Sequence, residues 1–205
     1  MKRLGYLMLS ACVLSRMFAG CGSFDSDETI ISVGKKGTVT TIDVDTFDQS
    51  YYTEDDFKSF AEEAIDTYNM SHEVDAVTLS EFSVEENVAK LKMEFKTIED
   101  YSGFNGIPLY QGTVVEAVAA GYKFDGTFSA VEKGEVIGGA TKTEILAESD
   151  LNVVIIQANT DVKVDGKICY VSNQNVTVTA KDTVSIRDEE NTSLESDVVT
   201  YIIYK

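Results

Sequence analysis

Histidine, proline and tryptophan are nearly missing from this chain: one His, one Pro and no Trp in 205 residues. With one imidazole, His72, a Ser-His-Asp or Cys-His nucleophile system would have to converge on a single loop. Nothing in the spacing does so, and His72 reads as a solvated surface residue. Cysteine is sparse as well. Cys12, Cys21 and Cys169 form no CxxC and no Cys/His cluster, which removes zinc. There is no GxSxG, Walker loop or GxGxxG, and Gly138-Gly139 reads as a turn. No apolar run approaches the roughly 20 residues that span a bilayer. Positive charge is scarce too, 17 Lys+Arg against 35 Asp+Glu for a net charge of −18. Such a surface repels phosphate backbones, so no nucleic-acid partner is expected.

What is present begins at the N-terminus. Lys2 and Arg3 precede an apolar run from Leu4 to Leu14, and Phe18-Ala19-Gly20-Cys21 follows. This order resembles the export signal and lipobox of a bacterial lipoprotein. The resemblance implies cleavage before Cys21 and attachment of a diacylglyceryl group, carrying fatty acids such as palmitate, to its sulfur. It divides the chain into a signal peptide (1–20), a polar tether (21–28) and one globular domain (29–205). It places that domain at the cell membrane, lipid-anchored on the extracytoplasmic face. Arg16 would be costly inside a bilayer and argues against a permanent transmembrane helix. The alternative is an uncleaved N-terminal helix packed on the domain.

Loss of Lys2, Arg3 and Arg16 with the signal leaves 14 basic residues against 35 acidic, a net charge of −21. Attraction to anionic headgroups is then excluded and the lipid must do the anchoring. Each buried methylene contributes about 0.8 kcal/mol, and two acyl chains suffice. With Cys12 removed and Cys21 alkylated, Cys169 stands alone and no intrachain disulfide is possible.

Patterning within 29–205 predicts an α+β fold: an antiparallel β-rich domain with one long amphipathic helix on a sheet and a mostly β C-terminal half. Thr29 to Val44 reads as a hairpin around Gly34-Lys35-Lys36-Gly37. Thr53 is a good N-cap, followed by Glu54, Asp55 and Asp56 in a first turn that favours negative charge. Phe57, Phe60, Ala61, Ala64, Ile65 and Tyr68 then form an apolar stripe ending near Met70. Glu73 to Lys96 reads as a second hairpin. Pairing Val84 with Ala89 sets Phe82 opposite Leu91 and Glu81 opposite Lys92, joining apolar to apolar and acid to base. Thr97 to Gly103 reads as one helical turn stopped by its glycine. Pro108 marks a possible boundary between two lobes, 29–105 and 106–205. Thr113-Val114-Val115-Glu116 has capping-box spacing, predicting a helix over 114–120, with a strand as the alternative. Beyond it Tyr122, Phe124 and Phe128 alternate around Gly126, Thr141 to Leu146 suggests a helical turn, and Leu151 to Ile156 suits a central strand. Shorter strands are expected over 161–172, 175–186 and 197–204. Asp165-Gly166 reads as a hairpin turn pairing Val162 with Cys169, or with Ile168 if the loop holds a bulge. In the first register Cys169 is a small buried hydrophobe.

The mature part also resembles uncharacterised surface lipoproteins of low-GC Gram-positive anaerobes. The likeness rests on Phe104-Asn105-Gly106, on Gly112-Thr113-Val114 with Glu116 to Tyr122, and on Tyr201 to Tyr204. It implies no catalytic residues. No cofactor is expected. Calcium would have to use the acidic loop from Asp188 to Asp197, or Asp43, Asp45 and Asp48, and neither has the EF-hand order. Tyr51, Tyr52 and Tyr110 fall in or beside loops, where aromatics can form sugar or peptide platforms, but packing is the better reading. The expected function is a non-catalytic binding or interaction module with a protein, peptide or glycan ligand. The alternatives are a solute- or glycan-binding accessory protein and a hydrolase using two carboxylates, one desolvated in a cleft.

Overall fold

The computed structural model describes residues 24–48, 51–188 and 193–205. Cys21, the signal segment and the centre of the 188–197 acidic loop lie outside the described residues. Over the rest the chain is α+β, as its patterning predicts.

β1 (Ile30–Val33) and β2 (Val39–Thr46) form the first hairpin. β3 (Val77–Glu85) and β4 (Val88–Phe95) form the second, in the expected register: Val84 opposite Ala89, Phe82 opposite Leu91, Glu81 opposite Lys92. Two features hold that register. Glu86 and Asn87 take φ values of 51° and 64°, as a two-residue type I′ turn requires. Lys92 Nζ also lies 3.7 Å from the Glu81 carboxylate.

α1 (Glu54–Asn69) joins the hairpins. The Asp56 N–H donates to Thr53 Oγ1 (3.2 Å) and the Thr53 N–H donates back to the Asp56 carboxylate (2.9 Å). Thr53→Ala should therefore destabilise the domain by about 0.5–1 kcal/mol, read as a lowered urea midpoint at unchanged slope. The apolar stripe is narrower than its spacing predicts. Ile65 is buried and Phe57 and Tyr68 are half-buried, while Phe60 is 69% exposed. The helix rests chiefly on β3, so only the side of the stripe facing that strand is covered.

α2 (Ile98–Asn105) runs through Gly103 and stops at Gly106, whose φ is 72°. Gly103 serves a close approach instead: a Cβ there would stand 2.7 Å from the Tyr68 hydroxyl. β5 (Leu109–Thr113) follows, then α3 (Val114–Ala119), which carries the expected capping box between Thr113 and Glu116. Next come β6 (Phe128–Glu132), β7 (Glu135–Ala140) and α4 (Lys142–Ala147), capped by Thr141 and Glu144. Gly138 and Gly139 lie in β7 and make no turn. Among the described residues only β6 pairs with that exposed edge strand, which places few demands on side chains.

The remaining strands are β8 (Asn152–Ala158), β9 (Asp161–Val164), β10 (Ile168–Ser172), β11 (Val176–Ala180), β12 (Thr183–Ile186) and β13 (Glu195–Tyr204). The Asp165-Gly166 hairpin does not form. β9 runs parallel to β1 and β10 runs antiparallel to β13, so neither expected partner of Val162 is correct. Asp165-Gly166 is a crossing between sheets. A Cβ on Gly166 would stand 2.5 Å from the Tyr204 ring and 2.7 Å from the Lys205 carbonyl oxygen, so glycine here allows passage rather than a turn. Cys169 is consequently half-buried, and its thiol donates weakly to the Lys167 carbonyl (3.5 Å).

The strands assemble in the orders β11-β12-β9-β1-β2-β4-β3 and β5-β8-β13-β10-β6-β7. Strands from both sides of Pro108 thus share the seven-stranded sheet. Its inner face (Ile31, Val33, Val39, Met93, Phe95, Val162, Val184) packs on Val154, Ile156, Ile202 and Val171 of the six-stranded sheet. The other face of that second sheet is covered by Val114 and Ala117 of α3, Ile145 of α4, and Phe124. β8 is therefore buried on both sides, as its unbroken apolar run predicts. The parallel β1 and β9 define two poles. At one, the Thr160 hydroxyl donates to the Thr29 carbonyl (2.7 Å), where the tether enters. At the other, the Asp165 N–H donates to the Val33 carbonyl (3.2 Å).

Candidate functional site: a cleft at the tether pole

At the tether pole a cleft of about 760 Å³ opens over the inner face of β2 and β4, closed by α1, the end of α2 and the segments at Asn159, Arg187 and Leu194. Alternation along β2 puts Val39, Thr41, Asp43 and Asp45 on one face, opposite Phe95, Met93, Leu91 and Ala89 of β4. Asp43 is thereby aimed inward, at the mouth of the core. Leu91, Met93 and Phe57 supply apolar wall, and Asn105, Asn159 and Thr160 supply polar wall.

Most polar groups of the cleft already hold one another. The Arg187 guanidinium lies 2.8 Å from Asp161 and 3.8 Å from Glu28. Asp27 lies 3.7 Å from Lys90, and Asp45 accepts from the Thr46 N–H at 2.7 Å. The Asn105 side chain donates to the Tyr101 carbonyl (3.1 Å). Asp43 differs from the other acids. Its carboxylate accepts one hydrogen bond, from the Thr41 hydroxyl (3.1 Å), and has no cationic partner among the described residues. Burial raises its carboxyl above the ordinary range, against the opposing pull of Thr41. Deeper in, the Tyr101 hydroxyl is buried with no hydrogen-bond partner among the described residues. Burial, with the Asp43 charge adding to it, pushes that phenol upward. The site is a recessed acceptor beside apolar surface, able to take a ligand's O–H or N–H.

The tether itself is held here. Lys90 Nζ lies 2.6 Å from Asp25, whose carboxyl is lowered chiefly by that hydrogen bond.

Other residues singled out by the sequence lie elsewhere. His72 is exposed and stacks on Tyr68 at 3.8 Å, with its Nδ1 2.7 Å from the Tyr68 carbonyl. Tyr52 packs on Phe47 (4.9 Å between ring centres) and Tyr110 on Tyr122 (4.9 Å), while Tyr51 is 80% exposed. Tyr51 and Tyr52 pack edge to face at 4.9 Å, whereas Tyr110 sits apart from them against Tyr122. Asp43, Asp45 and Asp48 do not converge, and among the described residues no three His, Cys, Asp or Glu are grouped to hold a metal ion. Arg187 is not legible as a site residue, because the pairing of β12 with β9 sets it beside Asp161 at the cleft, and Tyr101, from α2, is not one of the lining residues. Asp43 was legible in principle, from its even spacing to Val39. No protein-family model, curated protein or solved structure matches the chain.

Proposed function

We propose that the chain is a lipid-anchored, non-catalytic binding module on the extracytoplasmic face of the cell membrane, with the cleft at the tether pole as its ligand site. The observation that carries the binding reading is Asp43, a recessed carboxylate whose acceptor capacity the protein does not use up. Its neighbours suit a ligand with hydroxyl or amide donors and an apolar flank, such as a glycan or a peptide segment. The lipid reading rests on Cys21 and the residues before it. Asp25 and Asp27 bind Lys90 beside the cleft, so an anchor at Cys21 turns this pole toward the bilayer. Mass spectrometry of native material tests the anchor. The expected N-terminus is Cys21 with added acyl mass and no trace of residues 1–20. An intact Met1 without acyl mass would overturn it.

A further inference from the structure

Basic residues are outnumbered by more than two to one in this chain, yet four lysines line one recess of about 540 Å³ at the pole away from the tether. Four separate segments deliver them: Lys133 from the β6–β7 turn, Lys167 from the sheet crossing, Lys181 from the β11–β12 turn, and Lys205 after β13. Backbone contacts fix these segments together. Lys167 and Lys205 exchange N–H···O bonds of 2.8 and 3.0 Å, and the Ile168 N–H donates to the Lys181 carbonyl (2.9 Å). The Lys133-Gly134 turn sits directly on Lys181. Gly134 has a φ of 86°, and a Cβ there would lie 2.9 Å from the Lys181 nitrogen.

Lys133 Nζ is 3.8 Å from Glu132. The other three lysines make no ion pair with a carboxylate among the described residues. In a chain so rich in acid, a concavity lined by three lysines without an ion-pair partner, and by one acid, Glu132, that Lys133 faces, is a local excess of positive charge. The floor is apolar: Val131 and Ile168 are 8% and 3% exposed, and Cys169 stands beside them. Ammonium groups bind phosphate as point charges, and an apolar floor accepts an organic substituent.

We infer that this recess binds an organic phosphate, its phosphate held by Lys167, Lys181 and Lys205 and its organic part lying on Val131, Ile168 and Cys169. The site is separate from the cleft. Only its orientation rests on the lipid anchor: with Cys21 in the membrane it faces outward, away from lipid headgroups. The phosphate is then that of a soluble ligand.

Cys169 lines the recess and reports its occupancy. The full chain is alkylated with N-ethylmaleimide, with and without phenyl phosphate, and modification at Cys169 is followed by peptide mass mapping. Protection follows 1 + [L]/Kd, so alkylation should slow about fivefold at a phenyl phosphate concentration about four times the dissociation constant. The protection should weaken with added salt. It should vanish in Lys167→Gln/Lys181→Gln/Lys205→Gln, whose exposed side chains leave the thermal melt unchanged, and persist in Lys58→Gln/Lys123→Gln. Absence of saturable protection in a folded chain overturns the inference, as does equal protection in the triple variant. Protection by phosphatidylglycerol vesicles but not by phenyl phosphate overturns it in favour of a membrane surface. Each outcome is read in solution, so failure of the lipid anchor would leave it intact.

Discussion

Cys21→Ala is expected to abolish lipidation of the chain. The variant should accumulate as precursor or be shed into the medium, with palmitate labelling at background. The charge balance makes this an all-or-none expectation. Beyond Cys21 the chain carries a net charge of −21, and the described helices include none long and apolar enough to cross a membrane. Surface attraction therefore cannot replace the lipid, since anionic headgroups repel such a body. A single acyl chain gives only marginal attachment, with a partition constant of about 10⁴ M⁻¹, whereas two give stable anchoring. The wild-type chain should accordingly stay with membranes through a high-salt wash and leave them in detergent. Geometry adds a second constraint. The tether is held to the domain from Asp25 onward, so three residues separate the anchor from its first ion pair. The four intervening Cα steps span about 14 Å when fully extended, so a lipid on Cys21 would keep the tether pole near the headgroups. Palmitate labelling of Cys21→Ala at the wild-type level would sink the anchor.

Local chemistry was the legible part of this fold. Thr53, Thr113 and Thr141 open helices because a hydroxyl and an acid three residues later satisfy orphan backbone donors. The β3–β4 register was legible because side chains of both faces agree on it, apolar pairs inward and a charge pair outward. The errors share one cause. Gly103, Gly138-Gly139 and Asp165-Gly166 all read locally as stops or turns, yet each glycine lies where tertiary structure puts something else: the Tyr68 hydroxyl, an exposed edge strand, the Tyr204 ring. Glycine permits a turn and also a close approach, and the sequence around it does not say which. The β9–β10 segment shows the same limit at larger scale, since its partners β1 and β13 are far away in the chain. Both cavities depend on such distant pairings. The lysine recess in particular leaves no mark in any single stretch.

Asp43→Asn is expected to stabilise the domain by about 1–2 kcal/mol at neutral pH, because burial disfavours the charged form of the wild-type carboxyl and only one hydrogen bond opposes that penalty. Asparagine keeps the shape and can still accept from Thr41. The pH dependence fixes the sign. Burial raises the folded-state pKa of Asp43 above its unfolded value near 3.8, so the folded chain binds the proton more tightly. As pH falls through the raised pKa the wild type gains stability from this group, and the gap to Asp43→Asn closes toward pH 4. The capping carboxylates Asp56, Glu116 and Glu144 behave oppositely. Their hydrogen bonds from the cap threonines lower their pKa values, so their contribution fades on acidification. Both chains share those groups, and subtracting the two urea-derived profiles isolates Asp43. A constant difference between pH 4 and pH 8 would mean that its carboxyl is not raised. A loss of stability in Asp43→Asn would mean that the charge is already satisfied from within, removing the open acceptor on which the cleft's binding role depends. A gain would mark Asp43 as an acid retained against the stability of the fold, which is the behaviour of a group that meets a ligand.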